Sequence, residues 1–252
     1  MDLSEGSRRP LERHPWEEAR FRFFLRVLRR SLDLDATEAI LDVGAGDAWF
    51  AEQLVLRTTQ PRVVCWDTGY TSDVLGGDRL PRAERLQFVA TRPTDRFPLV
   101  LLLDVLEHIE HDREFLSEIV RENVAPGGAV LISVPAWPFL FSSHDIRLRH
   151  FRRYTPTSAR RAIESTGLRT VRSAGLFPSL GVIRLLQVAC ERAVGVRTSP
   201  DERNELQMSA WLAAPMRALL LGDQLASTVS AELRLPVPGL SWWALCRREP
   251  LE

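Results

Sequence analysis

The sequence predicts an α/β fold: a doubly wound, mostly parallel, seven-stranded Rossmann-like sheet with an N-terminal helix and a helical insertion before the last strand. Three observations lead to this prediction. Short runs that are apolar at every position alternate with amphipathic stretches, as in parallel strands that are covered by helices on both faces. The first run ends in a glycine-rich turn, which is a common connection to a helix whose N-terminus faces a ligand. A long, mostly helical stretch separates the last two strand candidates.

The elements are expected in the following order. An amphipathic helix covers 14–32, with apolar side chains every three or four residues and arginines on the opposite side. Strands are expected at 39–43, 62–66, 86–90, 99–103, 129–134, 168–173 and 240–247. Further helices are expected at 49–57, 113–123 and 156–167, the last with Thr155 as its N-cap and Gly167 at its end. Parallel strands in this alternation place a binding crevice at their carboxyl ends.

The composition excludes several classes of function. The formal net charge is zero, so the overall charge gives no reason to expect nucleic-acid binding. All 33 basic residues are arginine, and without lysine the chain has neither a Schiff-base residue nor a P-loop lysine. The three cysteines show no disulfide or zinc spacing, and the first ten residues have no apolar stretch of a signal peptide. These features predict a cytoplasmic protein.

The turn after the first strand is the strongest sign of a ligand site. Gly44 and Gly46 let the backbone approach a ligand closely. In a dinucleotide site the third glycine would fall at Trp49, where an indole would block a pyrophosphate. Asp42, just before the turn, suits an ammonium group, and Asp67 at the end of the second strand suits two ribose hydroxyls. The turn therefore predicts a nucleoside ligand without phosphates, and a nicotinamide-dependent oxidoreductase is the alternative on the same fold.

Several stretches together resemble the motifs of the class I S-adenosylmethionine-dependent methyltransferases. They are Leu-Asp-Val-Gly-Ala-Gly at 41–46, Asp67, and Leu-Leu-Asp-Val-Leu-Glu-His-Ile at 102–109. More narrowly, the chain resembles a bacterial small-molecule methyltransferase branch. This second resemblance rests on His14, Trp16 and Arg20, on the stretch from Asp145 through His150 to Thr155, and on Pro-Gly-Leu-Ser-Trp from Pro238.

The resemblance implies that S-adenosyl-L-methionine is the cofactor and that the residues around it form one set. This set comprises Asp42, Gly44, Ala45, Gly46, Asp67, Thr68, Asp104, Val105, Leu106, Trp16 and Arg20. Two positions depart from the family pattern. Ala48 replaces the usual third glycine, and Ala-Thr-Arg at 90–92 stands where many relatives place an acidic residue on the adenine.

One domain is expected over the whole chain, 1–252. It consists of a lid helix at 1–35, a donor-binding core at 36–175, a helical acceptor-side insertion at 176–238, and the last strand and tail at 239–252. The basic face of the first helix is expected to be solvated or to touch acidic lipid head groups, so membrane association is at most peripheral. The insertion is expected either to cover a bulky acceptor or to pack against the core. The sequence leaves the oligomeric state open.

The expected reaction is transfer of the methyl group to a nucleophile on a small-molecule, lipid-linked or sugar-linked acceptor, with oxygen preferred as the acceptor atom and nitrogen or carbon as the alternatives. A non-catalytic partner subunit that binds the donor is the alternative from another class. His150, His108 and His144 are the candidates for the general base, with His150 preferred because it lies in the resembling motif. Arg152 and Arg153 are candidates to clamp an anionic acceptor, and a loop that is held by an ion pair between Asp145 and an arginine is the structural alternative.

His108 has two further interpretations. It can order the start of a helix together with Glu107, or it can bind a metal ion together with His111 and neighbouring carboxylates. Metal-dependent relatives have an Asp-Asn pair after the fifth strand, where this chain has Val134 and Pro135. The sequence therefore predicts that no metal ion is required.

Overall fold

A seven-stranded sheet forms the centre of the computed structural model, which describes residues 13–59, 61–194, 210–233, 235 and 237–249. The strand order is β3-β2-β1-β4-β5-β7-β6. The strands are β1 Ala39–Val43, β2 Arg62–Trp66, β3 Leu86–Val89, β4 Phe97–Leu103, β5 Val124–Pro135, β6 Leu168–Leu176 and β7 Ser241–Arg248. The pairs among β1 to β5 are parallel, whereas β7 runs antiparallel to both β5 and β6. The prediction of a mostly parallel, seven-stranded Rossmann-like sheet is confirmed.

Helices cover both faces of the sheet. They are α1 Pro15–Ser31, α2 Trp49–Val55, α3 Ser72–Gly76, α4 Asp112–Asn123, α5 Ser143–Arg147, α6 Pro156–Glu164, α7 Pro178–Val194 and α8 Ala210–Leu233. Alternate side chains of each strand enter two separate apolar clusters, because successive residues of a strand point to opposite faces. One cluster includes side chains of α1, α2 and α8, and the other includes side chains of α4 and α6. The sheet is therefore buried on both sides, as its continuous apolar runs predicted.

Helix α1 is anchored in the core by aromatic side chains. Phe23 and Phe24 are fully buried and meet the Trp243 indole edge-on, with ring centroids 5.3 Å and 6.3 Å apart. Edge-to-face contacts of this kind add about 0.5–1.5 kcal/mol to the burial of each ring pair. The middle of α1 is thus part of the folded core, and its N-terminal part reaches the end of the sheet, where Arg20 contacts Asp104.

Besides shifts of two or three residues at the ends of several elements, the observed elements differ from the predicted ones at four places. Strand β5 starts at Val124 rather than at 129, because Val124 pairs with Phe97 before the register shifts at the Pro-Gly-Gly turn. Strand β6 continues to Leu176 because β7 pairs with it along that length. The sequence did not reveal α3 or α5, since helices of five residues are too short to show a periodic pattern. None of the described helices is long and apolar enough to cross a membrane.

Candidate functional site

A groove lies at the carboxyl ends of β1 and β4, where the sequence placed the ligand. Four of the predicted donor residues line it, namely Asp42, Gly44, Ala45 and Arg20. Its other lining residues are Arg13, Glu17, Asp47, Trp49, Phe50 and Leu103. The groove therefore combines the glycine turn with the first turn of α1, and the indole of Trp49 lies in it, where it was expected to exclude a pyrophosphate.

The glycine turn needs a glycine at position 44 for two reasons. Gly44 has a φ of +64°, in the left-handed region that side chains other than glycine rarely adopt. A Cβ atom at this position would also lie 2.9 Å from Cγ2 of Val105. The turn is closed by the Gly44 amide, which donates to the Trp66 carbonyl at 2.7 Å. Val105 is buried against the turn, and its neighbour Leu106 is buried as well.

Asp67 joins the glycine turn to the end of β2. One of its carboxylate oxygens accepts from the Gly46 amide at 2.9 Å, and the other accepts from the Gly69 amide at 2.7 Å. Each oxygen has a second acceptor position, so the carboxylate can still receive two hydroxyl groups. Asp67 is half-buried and the neighbouring Thr68 is exposed. Two backbone amides thus fix the side chain at the strand end, and each of its oxygens can still accept another hydrogen bond.

Asp42 lines the groove but is almost fully buried. Burial raises its pKa to about 7, and the nearby Arg20 opposes this rise. A cation that binds beside the carboxyl group would favour its charged form. The position therefore suits a ligand that carries an ammonium group.

Arg20 links α1 to the ends of β4 and β5. Its guanidinium forms an ion pair with Asp104 at 2.7 Å and donates to the hydroxyl of Ser133 at 3.0 Å. The Ser133 hydroxyl in turn donates to Asp104 at 2.8 Å. Asp104 has a φ of +59°, a strained conformation for a non-glycine residue, which is common at functional sites. Trp16 is half-buried, with its ring centroid 5.9 Å from the Arg20 guanidinium.

Sequence reasoning missed the residues of the groove that come from outside the motifs. The Arg13 guanidinium contacts the Asp47 carboxylate, lies 3.4 Å from Glu17, and stands 5.1 Å from the centre of the Trp49 ring. Glu17 and Arg20 are three residues apart and so share one side of α1. From that spacing, the sequence could have placed Glu17 beside Arg20 in the site. The contact of Arg13 with Asp47 could not be predicted, because it depends on how α1 packs.

His150 is held by a buried carboxylate. Its Nδ1 lies 2.9 Å from Oδ1 of Asp145, which is fully buried and also accepts from Nε of Arg153 at 2.7 Å. Burial acts to raise the pKa of Asp145, but the hydrogen bonds from His150 and Arg153 outweigh it and hold that pKa well below the usual range. Asp145 is therefore charged at neutral pH. The predicted ion pair between Asp145 and an arginine is present, and the same carboxylate also orients His150.

His108 faces His150 across a short gap. The two imidazole rings meet edge-on, with centroids 4.7 Å apart. His108 ends a single 3-10 turn, Leu106–His108, that begins two residues after Asp104, and the fully buried Glu107 lies in the same turn. Burial, followed by the charge of Asp104, raises the pKa of Glu107 well above its usual range. Glu107, whose charged form is disfavoured by this burial, thus lies beside a pair of histidines.

Glu107, His108 and His150 form the one cluster among the described residues that could hold a metal ion, with ligand atoms within 4.8 Å of one another. His111, the partner named in the metal interpretation, is exposed and lies outside this cluster. That the activity requires no metal ion stays a prediction from the sequence.

The remaining polar residues of the segment are engaged elsewhere. Arg152 binds Asp112 at 2.8 Å, and Arg153 donates to the Ala136 carbonyl at 3.2 Å as well as to Asp145. The two arginines thus have structural partners that a clamp on an anionic acceptor would have to share. His144 contacts Arg147 rather than the histidine pair, and burial, with the charges of Arg184 and Arg147, lowers its pKa to about 4.

Comparison with known proteins identifies the family. Residues 16–173 match the sequence profile of a family described as a methyltransferase domain. A search of curated proteins finds no match.

Solved structures give the same fold at low sequence identity. The N-methyltransferase NodS from Bradyrhizobium japonicum WM9, in complex with S-adenosyl-L-homocysteine, is 17% identical with a TM-score of 0.53, over 94% of this chain and 90% of that chain. An S-adenosylmethionine-dependent methyltransferase from Mesorhizobium loti is 13% identical, with a TM-score of 0.53, over 90% and 98%. The 4+2 cyclase SpnF is 18% identical, with a TM-score of 0.55, over 98% and 87%.

These likenesses, taken alone, show only the fold, and the cyclase illustrates that one fold can carry different chemistry. The family profile goes further because it covers more than half of the chain, from Trp16 in α1 to Ser173 in β6. It includes the glycine turn, Asp67, Asp104 and the 142–154 segment. The chain belongs to the class I S-adenosylmethionine-dependent methyltransferases.

Proposed function

We propose that the chain transfers the methyl group of S-adenosylmethionine to an oxygen nucleophile on a small-molecule, lipid-linked or sugar-linked acceptor, with His150 as the general base. The observation that carries this proposal is the contact between His150 and the fully buried, charged Asp145. When the Nδ1–H group donates to that carboxylate, Nε2 is left as the proton acceptor. Such a pairing both fixes the tautomer and stabilises the imidazolium ion that forms.

The position of His150 relative to the donor groove supports this role. The Phe151 amide donates to the Glu107 carbonyl at 2.7 Å, and the Tyr154 hydroxyl donates to the Leu106 carbonyl at 3.1 Å. These bonds tie the 150–154 segment to the turn Leu106–His108, which begins two residues after Asp104. The histidine pair therefore lies on the edge of the sheet where donor and acceptor would meet.

The proposed reaction is a direct displacement. When bound, S-adenosylmethionine supplies a sulfonium methyl group that passes to the acceptor oxygen, with S-adenosylhomocysteine as the leaving group. Nε2 of His150 takes the acceptor proton, and Asp145 stabilises the resulting charge. Asp67 would hold the ribose, and Asp42 would hold the ammonium group in the groove. The first turn of α1 would act as a lid that positions the donor and excludes water, which are the main contributions a protein makes to this chemistry.

Contacts of α7 support the proposal that the insertion lies on the acceptor side. Arg184 of α7 donates to the Ser142 hydroxyl and lies 3.7 Å from Asp145. Arg192 donates to the Phe139 carbonyl at 2.9 Å. The insertion thus packs against the segment that carries His150, where it could enclose a bulky acceptor. The three free cysteines support a reducing compartment, and we infer that the protein acts in the cytoplasm.

The test is a screen of acceptors with labelled S-adenosylmethionine, followed by kinetics of variants. His150→Ala is expected to lower turnover by about 10²–10⁴-fold, as for loss of a general base, with the Kd for the donor unchanged. Asp145→Asn is expected to lower turnover while the donor still binds. His111→Ala removes an exposed histidine and serves as the matched control.

A folded His150→Ala variant with full turnover would refute the proposed base. Donor binding without transfer to any acceptor in the screen would instead favour a non-catalytic partner subunit. Binding of NAD in place of S-adenosylmethionine, measured by calorimetry, would refute the proposed ligand.

A further inference from the structure

Helices α7 and α8 carry an exposed apolar surface, which we call the apolar face. Leu186 of α7 is 61% exposed, and Leu221 and Leu225 of α8 are 55% and 64% exposed. The remaining members of the apolar face are Val182, Ile183, Leu185, Leu219, Val229 and Leu233. Most of the large hydrophobic side chains that are exposed in the described part of the chain belong to these two packed helices. A patch of this kind on a folded protein marks an interaction site.

The orientation of α8 on the sheet exposes its part of the apolar face to solvent. Besides Leu220, the inward side of α8 carries four buried polar side chains, Asp223, Gln224, Ser227 and Ser230. Ser227 accepts from the indole of Trp243 at 3.0 Å, and Asp223 accepts from the Ser179 hydroxyl. Asp223 and Ser227 are thus hydrogen-bonded inside the protein, where Leu220 is also buried, while Leu221, Leu225 and Leu233 point outward. A helix that only had to stabilise the core would show the opposite pattern.

A groove beside α8 carries excess positive charge. It is lined by Arg26 and Arg30 of α1, Arg172 of β6, and Thr228 and Glu232 of α8, among others. Arg30 forms an ion pair with Glu232 at 3.0 Å. Within the part of the chain that the structure describes, no ion pair forms at Arg26 or Arg172. Two uncompensated guanidinium groups therefore border the same helix whose outer side is apolar.

We propose that the apolar face and this arginine groove dock together onto the surface of an anionic phospholipid membrane. Leucines would enter the boundary between head groups and acyl chains, and Arg26 and Arg172 would bind lipid phosphates. No described helix can cross a membrane, so the protein would lie on the surface. A second copy of the chain is a poorer occupant, because self-association through this surface would bring the same positive grooves together. The proposal is independent of the acceptor and of His150.

The test is flotation of the full chain with vesicles of phosphatidylcholine alone or mixed with phosphatidylglycerol. The wild-type protein is expected to bind the mixed vesicles, less at high salt because the lipid charge is screened. Leu221→Ser with Leu225→Ser is expected to lower the partition coefficient by tenfold or more, since two exposed leucines no longer insert. The control Leu56→Ser removes an equally exposed leucine elsewhere and is expected to bind as the wild type does.

The charge contribution is tested separately. Arg26→Gln and Arg172→Gln are each expected to weaken binding to mixed vesicles by about fivefold, from about 1 kcal/mol per arginine near an anionic surface. Arg62→Gln is the matched exposed control. Folding of every variant is checked by its affinity for S-adenosylmethionine, which this proposal leaves unchanged.

Three outcomes would overturn the proposal. The first is a wild-type protein that does not bind mixed vesicles, and the second is equal binding by the leucine variant and its control. The third is self-association of the wild-type protein that the leucine substitutions abolish, without vesicle binding, because it would show that a second copy covers the face.

Discussion

Replacing Asp42 by asparagine is expected to stabilise the ligand-free protein, and increasingly so as the pH rises. Burial raises the pKa of Asp42 in the folded protein to about 7, from an ordinary value of 3.8. Between these two values the unfolded chain has released the proton while the folded chain retains it. The wild-type protein therefore loses stability as the pH rises towards 7, whereas asparagine, which resembles the protonated carboxyl, does not titrate.

The size of the effect follows from the two pKa values. They differ by about three pH units, and each unit corresponds to about 1.4 kcal/mol. The asparagine variant is thus expected to be more stable than the wild type by about 2 kcal/mol at pH 5 and by about 4 kcal/mol at pH 8. Because the side chain is almost fully buried, solvent screening does not reduce this difference much.

The assay is urea unfolding of both proteins at pH 5, 6, 7 and 8 without ligand. Asp95→Asn removes an exposed carboxylate and is expected to show no comparable dependence on pH. A stability difference between Asp42→Asn and the wild type that stays constant from pH 5 to pH 8 would refute the reasoning. In calorimetry, the same variant is expected to bind S-adenosylmethionine more weakly, because it lacks the proposed partner of the ammonium group.

Three further predictions concern the groove and its chemistry. Asp67→Ala is expected to weaken binding of S-adenosylmethionine by about 1.5–3 kcal/mol in calorimetry, and an unchanged Kd in a folded variant would contradict the proposed ribose contact. Gly44→Ala is expected to cost about 1–3 kcal/mol of unfolding free energy, because of its positive φ and the contact with Val105. The control Gly76→Ala, which has open space for a Cβ, is expected to cost nothing in the same urea assay. Activity is expected to survive treatment with EDTA, and a loss that magnesium or zinc restores would show that the histidine cluster binds a required metal.

Local patterns in the sequence determined most of the donor half of the protein. The apolar runs of β1, β2 and β4 predicted buried strands, since a parallel strand that is covered on both faces needs apolar side chains throughout. Gly44 predicted a tight turn, and the structure shows both the positive φ and the close approach of Val105 that require it. Asp42 and Asp67 were proposed as ligand contacts because one precedes the last residue of β1 and the other follows β2, and such positions are local features.

Only the tertiary structure decided which distant segments meet. The antiparallel insertion of β7 between β5 and β6 depends on pairing across more than sixty residues of chain, which no short pattern encodes. The contacts of Asp145 likewise depend on long-range packing. Its carboxylate orients His150 and also pairs with Arg184 of α7. The same holds for the outward leucines of α8. These leucines are exposed because the opposite side of α8 packs against the core. That side is held by polar partners on other elements, such as the Trp243 indole that donates to Ser227.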